Sequence, residues 1–314
     1  MSEVPGGVAV GELAAAELWH AERAAATGRL PGWSRFEGAR LYEMAKPNRD
    51  PATDAALARL YDLDLVEDPG DLDLYLALAA RAGGPVLEIA AGSGRVAVPL
   101  AEAGYEVTAV DIDVAMLARL AKAAAESGPG VPERIDPVAA DLVGLKLRRG
   151  ARFRLAILAL NSILLLNTRE AQVAAIETMA RHLAPGGIAV VDVWLPSADE
   201  LARYDGRLGL EYARVDPDTG QLVTKITAAQ HEPATGRVVL TAIYNEGEQG
   251  GATRRWIRED ILRLLNADEL RAIAESAGLE VEVVAGDYDL NPIGPHDDRA
   301  ILIARRRGRP APPD

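Results

Sequence analysis

The sequence predicts a doubly wound, mostly parallel α/β sheet with an antiparallel insert. Between residues 85 and 194, five short apolar runs alternate with longer segments of helical periodicity. Continuous apolar strands separated by helices favour parallel pairing with both faces of the sheet covered. After Pro196, four segments rich in Val, Thr, Tyr and Ile follow one another without a helical pattern between them, which predicts antiparallel strands.

The elements can be placed in chain order from these patterns. Helices are predicted at 9–27, 52–62 and 71–82, and the parallel strands at 85–90, 105–111, 134–141, 153–160 and 187–194. The helices between those strands are predicted at 93–104, 113–126 and 168–183. The antiparallel segments lie near 208–215, 221–231, 236–246 and 253–260, and a helix over 266–278 precedes two closing strands at 279–290 and 299–306. The two closing strands bring the main sheet to seven.

The same pattern predicts four regions along the chain. Residues 1–80 form an N-terminal helical region and lid, and residues 81–196 form the α/β core. Residues 197–262 form the antiparallel insert, and residues 263–314 complete the core and end in a basic, proline-containing tail.

Composition excludes several classes of function. With 47 acidic against 34 basic residues, the net charge of −13 disfavours binding to nucleic acid. The chain has no cysteine, which excludes disulfides, thiolate zinc sites and thiol nucleophiles. No secretion signal or membrane span is predicted, so we expect a cytoplasmic protein. The histidines and acids lack the spacing of metal ligands, and we predict no metal site.

The stretch VLEIAAGSGR at 86–95 fits two templates. Taken from Gly92, it matches the glycine-rich turn of dinucleotide-binding proteins, and Asp111 follows 19 residues later where a ribose-binding acid is expected. Glu88, at the end of the first strand, argues against a pyrophosphate because it adds a like charge. A ligand with positive charge is favoured instead, and Asp141 places a third acid at a strand end.

Five motifs carry a resemblance to the class I S-adenosylmethionine-dependent methyltransferases: VLEIAAGSGR, VTAVDIDVAML, VAADL, LALNSI and RHLAPGGIAVVDVW. The resemblance implies a Rossmann-like methyltransferase fold with S-adenosyl-L-methionine as cofactor. The family's usual first glycine is Ala90 here. The layout of the flanks is similar to that of small-molecule N-methyltransferases, including those that act on amino sugars.

Carried onto this sequence, the resemblance implies two sets of site residues. The cofactor-binding set is Tyr61, Tyr75, Glu88, Ala90, Ala91, Gly92, Gly94, Arg95, Asp111, Ile112, Met116, Asp141, Leu142 and Asn161. The acceptor-side set is Ser162, Trp194, Tyr288 and His296, and no catalytic base is assigned. Several of these have a purely structural alternative. Arg95 could serve helix packing, Trp194 could contact the insert, and His296 could face solvent.

The predicted reaction is methyl transfer to a small-molecule acceptor, with nitrogen favoured over oxygen because the sequence offers no evident histidine base for a hydroxyl. Two alternatives remain open at this point. One is a non-catalytic protein that binds S-adenosylmethionine, and the other is an NAD-dependent oxidoreductase. We also expect a homodimer through the insert, because its strands would otherwise leave exposed edges.

Overall fold

The structure is a computed structural model that describes residues 50–67, 69–147, 152–248 and 251–308. Its strands are β1 (Val86–Ile89), β2 (Val107–Asp111), β3 (Ile135–Ala139), β4 (Phe153–Leu158), β5 (Leu183–Trp194), β6 (Asp205–Val215), β7 (Leu222–Glu232), β8 (Arg237–Gly247), β9 (Thr253–Arg263), β10 (Leu279–Ala285) and β11 (Arg299–Arg306). Its α-helices are α1 (Pro51–Asp62), α2 (Leu72–Ala82), α3 (Ala97–Glu102), α4 (Val114–Glu126), α5 (Arg169–His182), α6 (Ala198–Arg203) and α7 (Ala267–Ser276). Short 3-10 helices lie at Leu63–Leu65, Pro132–Arg134 and Ser162–Leu165.

The main sheet has seven strands in the order β10-β11-β5-β4-β1-β2-β3. Strands β3, β2, β1, β4 and β5 pair in parallel, and β11 pairs antiparallel with both β5 and β10. The chain order reverses between β1 and β4, which is where doubly wound sheets bind their ligands. The predicted fold class is confirmed.

Side chains alternate between two cores, one on each face of the main sheet. On β1, Val86 packs in the first core, whereas Leu87 and Ile89 pack in the second. The first core contains Leu78 of α2, and the second contains Ile176 of α5. Glu88 therefore points to the face that α2 covers, because neighbouring residues of a strand point to opposite faces.

The insert forms a separate four-stranded antiparallel sheet in the order β6-β7-β8-β9. Its inner face packs against α1 and the following 3-10 helix, where Leu60 and Leu63 share a core with Val223 and Tyr244. Asp64 accepts hydrogen bonds at that contact from the hydroxyls of Tyr212 and Tyr244, and it pairs with Lys225. The insert is therefore fixed to the segment that precedes β1.

Two predicted boundaries differ from the structure. The helix predicted over 93–104 spans only Ala97–Glu102, because Gly92 and Gly94 hold positive φ angles of 57° and 91° and keep the preceding residues in turns. The strand predicted to Leu290 ends at Ala285, where the backbone turns into a hydrogen-bonded loop.

Other predictions fall outside the described residues. These are the helix at 9–27 and the end of the basic tail from residue 309 onward. Within the described segments, no helix combines the length and apolar character needed to cross a membrane.

Candidate functional site

The glycine turn after β1 has an unusual backbone. Ala90, Gly92 and Gly94 all have positive φ, at 56°, 57° and 91°. A Cβ on Gly94 would lie 2.8 Å from Leu120 of α4, so only glycine fits there. Ala90 replaces the glycine typical of this motif and holds the left-handed conformation at a cost of roughly 1 kcal/mol. Ala91 is buried beneath the turn. The backbone of the turn is thus open to the close approach of a ligand.

Glu88 lies beneath this turn and is nearly inaccessible, with 3% of its surface exposed. Its Oε2 atom has no hydrogen-bond partner among the described residues. Burial raises the pKa of Glu88 to about 8, an effect that Arg95 opposes and that Asp111 reinforces. A buried carboxyl group with an unused oxygen is costly, and a positively charged ligand beside it would reduce that cost.

Asp111 closes β2 and is held by the backbone. Its Oδ2 accepts a hydrogen bond from the amide of Gly92 at 2.8 Å, and its Oδ1 accepts one from Asp113 at 2.8 Å. Burial raises the pKa of Asp111, although those backbone donors oppose the rise. Each carboxylate oxygen can accept a second hydrogen bond. Asp111 therefore fixes the glycine turn and keeps capacity for two ligand hydroxyls.

The residues expected to enclose an adenine occupy the edge of the sheet beyond Asp111. Met116, on α4, packs with Ala58 of α1, and Tyr61 packs against the same cluster. Arg258 of β9 lies over the ring of Tyr61, 5.3 Å from its centroid. The insert thus reaches the candidate cofactor side through Tyr61.

Asp141, just after β3, accepts a hydrogen bond from the amide of Val143 at 2.8 Å. Leu142 packs against the second core. Ile112 directly follows β2 and is partly buried.

Arg95 has a partner that the sequence analysis did not identify. Its guanidinium donates two hydrogen bonds to the carboxylate of Asp71, at 2.6 and 2.7 Å. Asp71 is fully buried just before α2. The pair ties the glycine turn to the segment before β1. A signal existed in the sequence, since an arginine directly after such a turn needs a carboxylate partner once it is buried.

A second contact between the glycine turn and the segment before β1 was also not predicted from the sequence. Ser93, within the turn, donates a hydrogen bond to Asp62 at the end of α1, at 2.6 Å. Asp62 also pairs with Arg119 of α4, which in turn contacts Asp218 in the β6–β7 turn at 2.9 Å. Partners this far apart in the sequence leave no local pattern from which to predict them.

Tyr75, on the first turn of α2, is fully buried, and its hydroxyl has no hydrogen-bond partner among the described residues. Burial raises the pKa of Tyr75 well above its usual range, and the charges of Asp192, Asp71 and Tyr288 add to the rise. Tyr75 packs in the first core together with Tyr288, and its place in the cofactor-binding set remains a prediction.

Asn161 joins the ends of β4 and β5. It has a left-handed backbone with φ 65°, and its Oδ1 accepts a hydrogen bond from the amide of Trp194 at 2.5 Å. Ser162 follows at the start of a 3-10 helix and is partly buried. Trp194 stacks obliquely near Tyr204, with the ring centroids 6.1 Å apart. Asn161, Ser162 and Trp194 are therefore brought together at the carboxyl ends of these strands.

Tyr288 lies in the loop after β10, so its predicted place at the end of that strand is corrected. The strand ends earlier because Asn291 folds back, accepting from the amide of Gly286 at 2.9 Å and donating to Asp287 at 2.8 Å. Tyr288 donates a hydrogen bond to Asp192 at 2.9 Å. His296, in the same loop, is exposed.

The described residues fit the predicted cofactor. Two unpartnered buried atoms, Glu88 Oε2 and Tyr75 Oη, lie along the site, and carboxyl groups end β1 and β2. S-adenosylmethionine carries a sulfonium and an ammonium but no phosphate, which suits this excess of acids. In the described segments, no three His, Asp or Glu side chains cluster closely enough to hold a metal ion.

Comparison with known proteins gives consistent matches. Residues 86–187 match the methyltransferase domain family. The chain is 28% identical over 225 residues to the cypemycin N-terminal methyltransferase of a Streptomyces species, covering 72% of this chain and 84% of that protein. It is 27% identical over 140 residues to dTDP-3-amino-3,4,6-trideoxy-alpha-D-glucopyranose N,N-dimethyltransferase of Streptomyces venezuelae. This match covers 44% of this chain and 55% of that protein.

A solved structure supports the same relationship. The CcbJ methyltransferase from Streptomyces caelestis superposes with a TM-score of 0.64 at 27% identity, covering 76% of this chain and 91% of that one. The DesVI protein of Streptomyces venezuelae shares the fold, with a TM-score of 0.60 at 20% identity over 84% of this chain and its full length.

Proposed function

Because the chain is a class I S-adenosylmethionine-dependent methyltransferase, we propose that it moves the cofactor's methyl group to a nitrogen atom of a small-molecule acceptor. One observation carries the cofactor assignment. Glu88 is buried beneath the glycine turn with an unpartnered carboxyl oxygen. A dinucleotide would place a phosphate against that carboxyl group, whereas S-adenosylmethionine would place a cation there.

We assign the cofactor contacts along the carboxyl ends of β1 to β3. Glu88 and the backbone of the glycine turn hold the methionine portion, Asp111 accepts hydrogen bonds from the ribose, and Asp141 accepts one from the adenine amine. Tyr61 and Met116 enclose the adenine. The support for this assignment is the geometry of Asp111, whose backbone hydrogen bonds leave it room for two more donors.

S-adenosylmethionine supplies a methyl group on a sulfonium that is already activated. The chain then needs mainly to position the acceptor in line and to exclude water, since proximity alone contributes much of the rate. A hydroxyl acceptor also requires a base. Of the three described histidines, His182 is buried and bonded to the carbonyl of Thr178 at 2.8 Å, His231 lies on β7 of the insert, and His296 lies in an exposed loop. An amine acceptor fits this arrangement better.

The relatives favour an amine as well. By their names, one is an N-terminal methyltransferase for cypemycin, and another methylates an amino sugar carried on dTDP. We propose a small amine of one of these two kinds.

The test is a panel of acceptors assayed for release of S-adenosylhomocysteine. It contains a short peptide with a free N-terminus, amino sugars with and without a nucleotide, and hydroxyl analogues of each. Turnover confined to amines supports N-methylation, and turnover confined to hydroxyls contradicts it. Calorimetric binding of S-adenosylhomocysteine with no turnover would instead identify a non-catalytic binder. Tight binding of NAD in its place would revive the oxidoreductase alternative.

We further propose a homodimer through the outer face of the insert sheet. Leu210, Ile226, Ile243 and Ile257 lie in register across its four strands, and Leu210 and Ile257 are 69% and 56% exposed. Exposed apolar rows of this kind mark interaction surfaces. Light scattering should report a dimer that Ile257→Lys converts to a monomer. A monomeric wild-type protein at high concentration would contradict the idea.

The division into four regions, with boundaries at residues 80, 196 and 262, also remains a proposal. Limited proteolysis provides its test, because boundaries between packed units are cleaved first. We propose the cytoplasm as the working compartment.

A further inference from the structure

A closed hydrogen-bonded cluster lies at the carboxyl end of β5. Asp192 is fully buried, and both of its carboxylate oxygens are occupied. Arg299 donates to Oδ1 at 2.6 Å, and the hydroxyl of Tyr288 donates to Oδ2 at 2.9 Å. The guanidinium of Arg299 also lies 4.9 Å from the centroid of the Tyr288 ring. Each member of the cluster is therefore positioned by the other two.

This cluster shares a face of the sheet with Glu88. Val190 packs in the first core and Val191 in the second, so Asp192 points to the same side as Val190. Glu88 pairs with Ile157 of β4, and Ile157 pairs with Val190 of β5. Asp192 is thus two strands from Glu88 and two residues nearer the carboxyl edge, beyond the proposed methionine-binding residues.

Tyr288 presents an unused acceptor at this place. Its one hydroxyl proton is donated to Asp192, and its oxygen can still accept a hydrogen bond. The side chain is partly exposed. Its loop is held by hydrogen bonds from Gly286 to Asn291 and from Gly294 to Asp297, the latter at 2.7 Å. The hydroxyl is consequently held in a fixed position before any acceptor arrives.

Tyr75 adds a second hydroxyl with unused capacity. Its Oη is buried and has no partner in the described segments, and it lies close enough to Asp192 and Tyr288 to feel their charges. A buried polar atom without a partner indicates a missing ligand or water. Tyr75 and Tyr288 both pack in the first core, so two phenol groups and the carboxylate of Asp192 lie on the same face of the sheet.

We propose that the hydroxyl oxygen of Tyr288 accepts a hydrogen bond from the acceptor amine and that the proton lost by the nitrogen passes through this hydroxyl to Asp192. This inference rests on the proposed N-methylation. The nitrogen lone pair forms the new N–C bond while the electrons of the C–S bond move to sulfur. The N–H bond then breaks, its proton binds Tyr288, and the original proton of Tyr288 moves to Asp192 Oδ2. Tyr288 ends neutral, and Asp192 ends as a carboxylic acid.

The electrostatics of the cluster suit this transfer. Burial raises the pKa of Asp192, Asp71 adds to the rise, and Arg299 and Tyr288 oppose it. Asp192 thus binds a proton more readily than an exposed aspartate does. Burial also raises the pKa of Tyr288, so its phenolate is disfavoured and the hydroxyl passes the proton on. The charged and titratable groups facing Asp192 are Arg299, Tyr288, Asp71 and Tyr75.

The experiment compares Tyr288→Phe, Asp192→Asn and their combination with the wild-type enzyme. Tyr105→Phe is the matched control, because Tyr105 packs on the first core just before β2, away from the carboxyl edge. The probes are D-glucosamine and an alanine tripeptide amide with a free N-terminus. Release of S-adenosylhomocysteine is followed from about pH 6 to about pH 9.

We expect Tyr288→Phe to lower kcat about 100-fold, the usual range for a lost proton-transfer group. The KM for S-adenosylmethionine should stay unchanged. Asp192→Asn should give a similar loss, and the double variant should be no slower than the slower single variant, since both lie on one path. The kcat of wild type should fall on the acid side as Asp192 becomes protonated. Both single variants should lose this contribution and keep only the limb that comes from protonation of the acceptor amine.

Other outcomes overturn the proposal. An unchanged kcat in Tyr288→Phe, with either amine methylated by the wild type, removes this inference and leaves the proposed N-methylation intact. An equal loss of cofactor affinity and kcat shows a structural role only. A wild type that methylates neither amine, including one that acts on hydroxyl compounds alone, overturns both. If Asp192→Asn fails to fold because Arg299 is left unpaired, Tyr288→Phe decides, since it keeps the ring and its stacking.

Discussion

The two halves of the site's carboxyl edge carry buried acids in opposite states. On the proposed cofactor side, Glu88 is buried with one oxygen unpartnered. On the proposed acceptor side, Asp192 is buried with both oxygens bonded, to Arg299 and Tyr288. An unpaired buried acid is stable only when it is protonated or when a ligand completes it. A paired buried acid is held in place by its partners before any ligand binds. The first half therefore depends on its ligand, and the second is assembled in advance.

The largest expected effect tests the ligand-dependent half through Asp111. Asp111→Ala removes the acceptor of the Gly92 amide and both of the proposed ribose hydrogen bonds, and hydrogen bonds to a charged group are worth roughly 1.5–3 kcal/mol each. We expect the Kd for S-adenosylhomocysteine to rise about 100-fold in calorimetry.

Asp113→Ala is the control for that loss, because Asp113 caps α4 through the amide of Ala115. It should lower stability by about 1 kcal/mol with little change in affinity. Equal affinities of the Asp111 variant and the wild type would show that the ribose lies elsewhere.

The next effect concerns how the free energy of unfolding depends on pH through Glu88. Its folded pKa of about 8 lies above the ordinary value of 4.5, so the folded protein without cofactor binds this proton more tightly than the unfolded chain does. The free energy of unfolding therefore falls as pH rises between those two values, by about 1 kcal/mol per pH unit. Thermal melts without cofactor should show this slope, and Glu88→Gln should flatten it.

The affinity for the cofactor should change with pH in the opposite direction to the stability of the free protein. An ammonium beside Glu88 favours its charged form, so binding releases the proton and affinity for S-adenosylhomocysteine should rise with pH up to about 8, by at most about tenfold per unit. Glu88→Gln should remove this dependence and weaken binding about tenfold at high pH. Glu102→Gln changes the same charge on the exposed side of α3 and should leave both curves unchanged.

The smallest effect tests the preassembled half through Trp194. Trp194→Ala removes the ring beside Tyr204 and keeps the backbone amide that Asn161 accepts. We expect the KM for the acceptor to rise about five- to tenfold, the cost of a lost aromatic contact, with cofactor affinity unchanged. A larger effect on the cofactor than on the acceptor would show that the two halves have been exchanged.

Much of the fold was predictable because its signals are local. The alternation of VLEI, VTAVD and FRLAIL with helical segments gave the parallel core, and Asn266 and Gly278 marked the limits of α7. The cap at Asn266 is present, since its side chain accepts from the amide of Glu269 at 2.8 Å. The extent of α3 was overestimated because Gly92 and Gly94 keep the chain in turns that composition does not reveal.

The candidate site was only partly predictable. Glu88 and Asp111 end strands, and a strand end is visible in the sequence. The partners that lie far apart in the sequence were not visible. Ser93 and Asp62 are 31 residues apart, and Tyr288 and Asp192 are 96 apart. Such pairs form only when strands and loops distant in sequence are folded onto one sheet face.

The sequence by itself determined the order of strands and helices, the glycine turn and the acids that end the first strands, because period, turn chemistry and charge act between near neighbours. Only the tertiary structure decided which acids are paired and which are left unpartnered. It buried Glu88 with one oxygen unpartnered and gave Asp192 both Arg299 and Tyr288. The physical reason is that desolvation and pairing depend on the whole packed environment of a group, which no local pattern contains.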